Sequence, residues 1–175
     1  MQGREPGEER YAVVASAFNE MVVRPLLDGA LACFQALGIA DDRLEVVWVP
    51  GAFELPLAAR TAARTGRFDA VVCLGAVIRG ETGHYDLVAG EAARGIQAVA
   101  LETGVPVLFG VLTTETLDQA LDRAGGAHGN KGWDAALAAT QMVKALDDLR
   151  AGVAAALGAV DAESGTNELQ RAVEE

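Results

Sequence analysis

The sequence is short of the residues that most often advertise chemistry: two cysteines, two histidines and only 5% aromatics in 175 residues. Cys33 and Cys73 lie far apart, each in an apolar segment, and neither falls near His84 or His128 at a zinc-ligand spacing. No metal site is therefore expected, and both thiols read as small buried residues of a reducing compartment. No apolar run is long enough to cross a bilayer, so no membrane partner is expected. The opening MQGREPGEER lacks the apolar core of a signal peptide, which makes the cytoplasm the expected location. Positive charge is also scarce, with 14 Lys and Arg against 25 Asp and Glu and a net charge of -11. That balance argues against nucleic acid, whose binding needs a basic face. An anion bound by such a chain must be met by deliberately placed cations or backbone N–H groups.

What is present is ordinary core material, 51% hydrophobic, enough for one domain. Four short Val-rich runs stand out: Arg10–Ser16, Leu44–Pro50, Asp69–Gly75 and Val105–Leu112. They show little alternation and are bounded by Gly, Pro or Asp, as strands of a parallel sheet covered on both faces do. Between them the periodicity turns helical. Leu27, Ala30, Phe34 and Leu37 share one face of a first helix, which Asn19 could cap, although Pro25 leaves its start open. A second helix is predicted over about 53–65, and a third carries Val88, Ala92, Ile96 and Val99. A short fourth spans about 115–124, and a last Ala-rich helix has Leu146, Leu149, Val153 and Leu157 on one stripe. The alternation predicts an α/β fold, a three-layer αβα arrangement on a four-stranded parallel sheet, flavodoxin-like. The domain is expected to cover residues 1–158 with a flexible start over 1–9. The segment 159–175, acidic and poor in large apolar residues, reads as a disordered tail.

Ligands of such sheets bind beyond the carboxyl ends of the strands, so the segments that follow each strand carry the search. Gly75–Asp86 reads GAVIRGETGHYD and nearly matches a phosphate-binding P-loop, but Glu81 stands where a lysine must meet the phosphates. A nucleotide triphosphatase is disfavoured on that substitution. Gly80, Gly83, the Thr82 hydroxyl and a helix start near His84 still suit an anion. His84 is either a proton-transfer group beside that anion or a polar surface residue at a helix start. His128, among glycines, reads as a solvated loop residue. Phe18, after the first strand, could stack on a flat heterocycle or plug the core. Ala52, Phe53 and Glu54 open a helix, where Glu54 could hold polyol hydroxyls or answer the helix dipole. Arg123 and Lys131 flank a Gly-rich stretch, as phosphate ligands or ordinary surface charges.

Taken in order, Phe18–Asn19, WVPGAFELP (Trp48–Pro56), LGAVIRGETGHYD (Leu74–Asp86), GVPVLFGVLTTET (Gly104–Thr116) and DRAGGAHGNKG (Asp122–Gly132) closely resemble the lumazine synthase family. These are the 6,7-dimethyl-8-ribityllumazine synthases, also called riboflavin synthase beta chains. The resemblance covers about residues 11–150. It implies a transferase of riboflavin biosynthesis that condenses 5-amino-6-(D-ribitylamino)uracil with 3,4-dihydroxy-2-butanone 4-phosphate and needs no cofactor. It further implies that Phe18 stacks on the pyrimidine and that Ala52, Phe53 and Glu54 hold the ribityl chain. Ala76, Val77 and Ile78 would bind the pyrimidine edge through main chain. The Glu81 and Thr82 amides with Arg123 would bind phosphate, and His84 would transfer protons. Phe109 would come from a neighbouring subunit, and Lys131 would be a further substrate contact. Glu81 departs from the family, which more often carries a small or neutral residue there.

The resemblance also implies a homo-oligomer: a pentamer, with a 60-subunit icosahedral shell in some members, and riboflavin synthase as a candidate partner. The short GGAHGNKG connection resembles shell-forming members. The charged N-terminal segment with Pro6 argues the other way, being a poor strand for pairing with a neighbour's sheet edge. A pentamer at least is expected, with the shell preferred. Two competing readings stand beside the enzyme: a non-catalytic lumazine- or flavin-binding shell protein, and a flavodoxin-like electron carrier or regulator. The first is disfavoured by His84 and Arg123, the second by the lack of a Ser/Thr-rich loop after the first strand.

Overall fold

The computed structural model describes the backbone of residues 7–173, with side chains through residue 153. Most of the expected flexible start over 1–9 and the side chains of the expected tail over 159–175 lie outside the described residues. By internal contacts the chain divides into Met1–Gln141 and Met142–Glu175. Every candidate site residue belongs to the first unit.

Four parallel strands, β1 (Tyr11–Ser16), β2 (Leu44–Val49), β3 (Ala70–Ile78) and β4 (Val107–Thr114), form a sheet in the order β2-β1-β3-β4. Every residue of β1 is buried, and every residue of β3 except Ile78 is buried. Those are the unbroken apolar runs expected of strands covered on both faces. The edge strand β2 is half exposed, with Val46, Val47 and Trp48 among its open side chains.

Helix α1 (Glu20–Ala36) follows β1, α2 (Leu55–Arg64) follows β2, α3 (His84–Thr103) follows β3 and α4 (Leu117–Arg123) follows β4. The faces of α2 and α3 meet the sheet in one core cluster, in which Leu55, Ala59, Ile96 and Val99 pack with Val14, Val71 and Cys73. Helix α1 buries Val23, Leu26, Leu27, Ala30 and Phe34, and the Phe34 ring lies 4.8 Å from that of Tyr11. Leu37, expected on the same face, is instead the half-exposed C-cap residue, because the helix ends before it. Pro25 sits inside α1 rather than marking its start; the carbonyl deprived of its N–H belongs to Met21, an exposed residue.

The Gly-rich stretch read as a plain connection is a small hairpin, β5 (Ala124–Gly126) and β6 (Gly129–Asn130), leading into α5 (Lys131–Val173). Asn130 closes it. Its side-chain oxygen accepts the N–H groups of Gly132 (2.9 Å) and Trp133 (3.2 Å), capping the start of α5. Its amide donates to the Pro25 carbonyl of α1 at 2.8 Å. The helices come too close here for side chains. A Cβ on Gly29 would lie 2.3 Å from the Asn130 side chain, and one on Gly132 would lie 1.9 Å from the Leu26 carbonyl oxygen. No helix among the described residues is long and apolar enough to cross a membrane.

Because Asn130 both caps α5 and ties it to α1, Asn130→Ala should destabilise the protein by about 1–3 kcal/mol. The check is the thermal unfolding midpoint at fixed protein concentration. An unchanged midpoint would mean that α5 is seated without this clamp.

Candidate active site

The parallel register aligns the carboxyl ends of the strands, and β1 lies where the chain passes to β2 on one side and β3 on the other. That switch point opens a crevice between the loops that follow. The Ala17 N–H donates to the Val49 carbonyl (2.8 Å) and the Phe18 N–H to that of Pro50 (3.0 Å). Pairing between β1 and β2 thus continues past the sheet and brings Phe18 beside Gly51–Glu54. Asn19 adopts the left-handed conformation (φ 60), which Asn tolerates better than most residues. Its side chain makes no helix cap; it donates to the Ala76 carbonyl at 2.8 Å instead and ties the turn after β1 to the end of β3. Held this way, Phe18 is 70% exposed, which excludes the core-plug reading.

The registered pairs of β1 and β3 end at Ala15 and Leu74, whereas those of β3 and β4 continue to Ile78 and Thr114. Ala76, Val77 and Ile78 therefore run past β1 with the edge that faced it open. Apart from the Ala76 carbonyl held by Asn19, that edge is a strip of backbone donors and acceptors facing the crevice. The strand read as ending at Gly75 runs on to Ile78, because β4 supplies a partner that a single sequence does not reveal. Opposite lie Ala52, Phe53 and Glu54, a 3-10 turn running directly into α2; Ala52 is buried while Phe53 and Glu54 are exposed. Together with Phe18, Thr82 and His84 these residues line a cleft of about 710 Å³, a size suited to a small molecule.

The loop Gly80–Gly83 completes the wall. Gly80 and Thr82 line the cleft and the Glu81 side chain does not. The backbone N–H groups of Glu81 and Thr82 donate to no group among the described residues, while Thr82 Oγ1 accepts from the His84 N–H at 3.4 Å. Free amides beside the first turn of the 20-residue helix α3 are of the kind that can receive an anion. His84 is exposed, in that first turn and on the cleft wall.

Arg79 stands just behind the loop. Its guanidinium meets Asp86 with two nitrogens (3.1 and 3.3 Å), Glu115 with a third (2.9 Å), and lies 3.9 Å from the centre of the Tyr85 ring. The bonds to Asp86, and then to Glu115, raise its pKa above the ordinary value. In β3, beneath the cleft, burial pushes the Cys73 thiol up to about 12; Cys33 is also raised, chiefly by burial. Both are free and buried, and neither is a thiolate nucleophile near neutral pH.

Three expected site residues are elsewhere. Phe109, Arg123 and Lys131 line a second cleft of about 430 Å³ along β4 and the beginning of α5, which shares no lining residue with the first. Arg123 ends α4, which packs on β4, and so belongs to that edge; it does not join Thr82 within one protomer. It donates to the Gln119 carbonyl at 3.0 Å, and Lys131 pairs with Asp134 at 2.7 Å. Phe109 is 44% exposed. His128 is an exposed turn residue, in keeping with its reading as solvated. Asn19 and Arg79 are the residues that sequence reasoning missed. An Asn in the short turn between a strand and a helix was the available sign for the first; the second sat inside the GAVIRGETGHYD block.

The residues that line the two clefts fall within the stretch of this chain that is similar to known proteins. A sequence model of the 6,7-dimethyl-8-ribityllumazine synthase family matches residues 8–147. The 6,7-dimethyl-8-ribityllumazine synthase of Edwardsiella ictaluri is 52% identical over 145 residues, covering 82% of this chain and 93% of that protein. That of Gemmatimonas aurantiaca is 53% identical over 146 residues, covering 83% and 89%. With the αβα fold, the match across nearly the whole described domain and identity of this level, the chain belongs to the 6,7-dimethyl-8-ribityllumazine synthase family.

Proposed function

We propose that this protein condenses 5-amino-6-(D-ribitylamino)uracil with 3,4-dihydroxy-2-butanone 4-phosphate to give 6,7-dimethyl-8-ribityllumazine, phosphate and water. The observation that carries the reading is the meeting of Phe18, the open main-chain edge of Ala76–Ile78, the Thr82 amide and His84 in one cleft. The Phe18 ring would stack on the pyrimidine while Ala76, Val77 and Ile78 hydrogen-bond its edge. Ala52, Phe53 and Glu54 would hold the ribityl hydroxyls. The Glu81 and Thr82 amides would receive the phosphate. The 5-amino group attacks the ketone, and loss of water gives an imine. Phosphate then leaves by elimination, the resulting enol becomes a ketone, and the ribityl-bearing nitrogen closes the ring with loss of a second water. His84 would carry protons between nitrogen, carbon and oxygen. No step consumes an oxidant or reductant, so the chemistry calls for no redox cofactor. Holding two substrates together supplies much of the acceleration.

The separation of the two clefts favours a homo-oligomer in which Phe109, Arg123 and Lys131 of one subunit close the first cleft of the next. Exposed Val46, Val47, Trp48, Leu57 and Leu101 give such an assembly apolar surface to bury. A pentamer is the proposed unit, with the 60-subunit shell its larger form and riboflavin synthase a partner to test. The cytoplasm remains the proposed location, supported by two unpaired buried cysteines.

Purified protein given both substrates should develop lumazine absorbance and release phosphate in equal amounts; neither signal appearing would defeat the assignment. His84→Ala should slow turnover by roughly 10- to 100-fold and leave measurable activity, because positioning survives its loss. Complete inactivity with unchanged substrate binding would assign His84 a larger part. Arg123→Ala should raise KM for the phosphorylated substrate by roughly 10-fold or more, the worth of a charged hydrogen bond, and affect the uracil much less. Subunits carrying His84→Ala and Arg123→Ala, unfolded, mixed and reassembled, should regain activity at about a quarter of the sites. Strict averaging of the two variants' activities would place both residues in one subunit's site.

A further inference from the structure

We infer that Arg79 is a positioning residue that holds the Gly80–Gly83 loop and the first turn of α3 in the geometry needed for phosphate and for His84. The inference rests on the reaction proposed above. It begins from a difficulty in the loop itself. Gly80 and Gly83 have no side chain, and a Cβ at either would touch nothing within 4 Å, so packing does not fix the loop. Its own hydrogen bonds are few: the His84 N–H to Thr82 Oγ1 at 3.4 Å and the Asp86 N–H to the Gly83 carbonyl at 3.2 Å. An anion seat needs its amides aimed in advance, and this loop does not aim them alone.

Arg79 supplies the missing restraint from both ends. Its backbone N–H donates to the Thr114 carbonyl at 2.9 Å, which anchors the start of the loop to β4. Its side chain reaches over the loop to the far end, where Asp86 Oδ1 and Oδ2 accept from two guanidinium nitrogens at 3.1 and 3.3 Å. The Nε group is held by Glu115, the residue after β4, and the guanidinium lies on the Tyr85 ring. One planar fork therefore joins the end of β3, the first turn of α3 and the end of β4. Tyr85 and Asp86 directly follow His84, so fixing them fixes the backbone that carries the imidazole. A lysine cannot reproduce this, because a point charge cannot meet two carboxylates and stack on a ring at once. The rest of α3 is seated by Ala92, Ile96 and Val99 in the core, so loss of Arg79 should loosen the first turn and leave the helix in place.

Arg79 could instead bind phosphate itself, and the two carboxylates separate the possibilities. If Arg79 acts by positioning, removing either carboxylate harms the same quantities as removing the arginine. If it is a phosphate ligand, removing a carboxylate frees it and strengthens phosphate binding. The experiment compares Arg79→Gln, Arg79→Lys, Asp86→Asn, Glu115→Gln and the double variant Arg79→Gln/Asp86→Asn in the assembled protein. Dissociation of inorganic phosphate, steady-state kinetics for each substrate, and assembly mass are measured together. Arg79→Gln should keep the wild-type mass, weaken inorganic phosphate and raise KM for the phosphorylated substrate by roughly 10- to 100-fold, with a smaller change for the uracil. Arg79→Lys should recover only part of this. Asp86→Asn should act in the same direction, and the double variant should be little worse than Arg79→Gln alone. If Arg79→Gln fails to assemble, Asp86→Asn and Glu115→Gln decide the matter by the same readings. Unchanged phosphate binding in Arg79→Gln, tighter phosphate binding in Asp86→Asn, or additive losses in the double variant would overturn the inference. A wild-type protein that binds phosphate and makes no lumazine would overturn the reaction and leave the phosphate measurements to judge Arg79.

Discussion

The site depends on a mismatch of strand lengths. β3 runs on past the last registered partner of β1 because β4 continues to pair with it on the other side. A strand held on one edge only is rigid enough to be a template and open enough to be read by a ligand. Everything else in the cleft is arranged around that bare edge. Asn19 crosses to it from the turn after β1, the Ala52–Glu54 turn faces it from α2, and the Gly80–Gly83 loop leaves from its end. If β1 were extended to pair with Ala76–Ile78, Phe18 would be carried away and the backbone groups would be consumed.

The protein carries a strong negative charge and yet is proposed to bind a phosphate ester. The arrangement described here answers that with short-range, oriented groups. Amides and a helix terminus act over a few ångströms and need no net positive surface. The cation nearest the loop, Arg79, is tied to two carboxylates and lends stiffness more than charge. Two further cations, Arg123 and the Asp134-paired Lys131, stand in the other cleft. The chemistry proposed is correspondingly one of placement, with a single imidazole moving protons.

Much of the fold is legible in the sequence because buried parallel strands have a blunt signature. The Val-rich runs around Val13, Val46, Val72 and Val111 are all strands, and the periodic Ala92, Ile96 and Val99 are the buried face of α3. What is not legible depends on partners distant in the chain. The extension of β3 to Ile78 needs Thr114, the role of Asn130 needs Pro25, and the role of Arg79 needs Glu115. Local pattern misreads Asn19 for a related reason: a cap and a cross-loop donor look alike until the acceptor, Ala76, is known. The candidate site divides similarly. Phe18, Thr82 and His84, taken from separate motif blocks, line one cleft, and the blocks give no sign that Arg123 lies with Phe109 and Lys131 on another edge.

The open flank of β2 has a bearing on how such a protein must be made. Val46, Val47 and Trp48 lie exposed on a strand whose outer row of N–H and C=O groups has no sheet partner among the described residues. A newly released chain therefore emerges with a sticky border that any other unpaired strand can join, cognate or not. In the proposed homo-oligomer, slow synthesis at low abundance would prolong that exposure, whereas rapid local synthesis would shorten it by bringing sister chains within reach. Yield of soluble protein should in consequence track expression rate and temperature more closely than the intrinsic stability of the folded subunit.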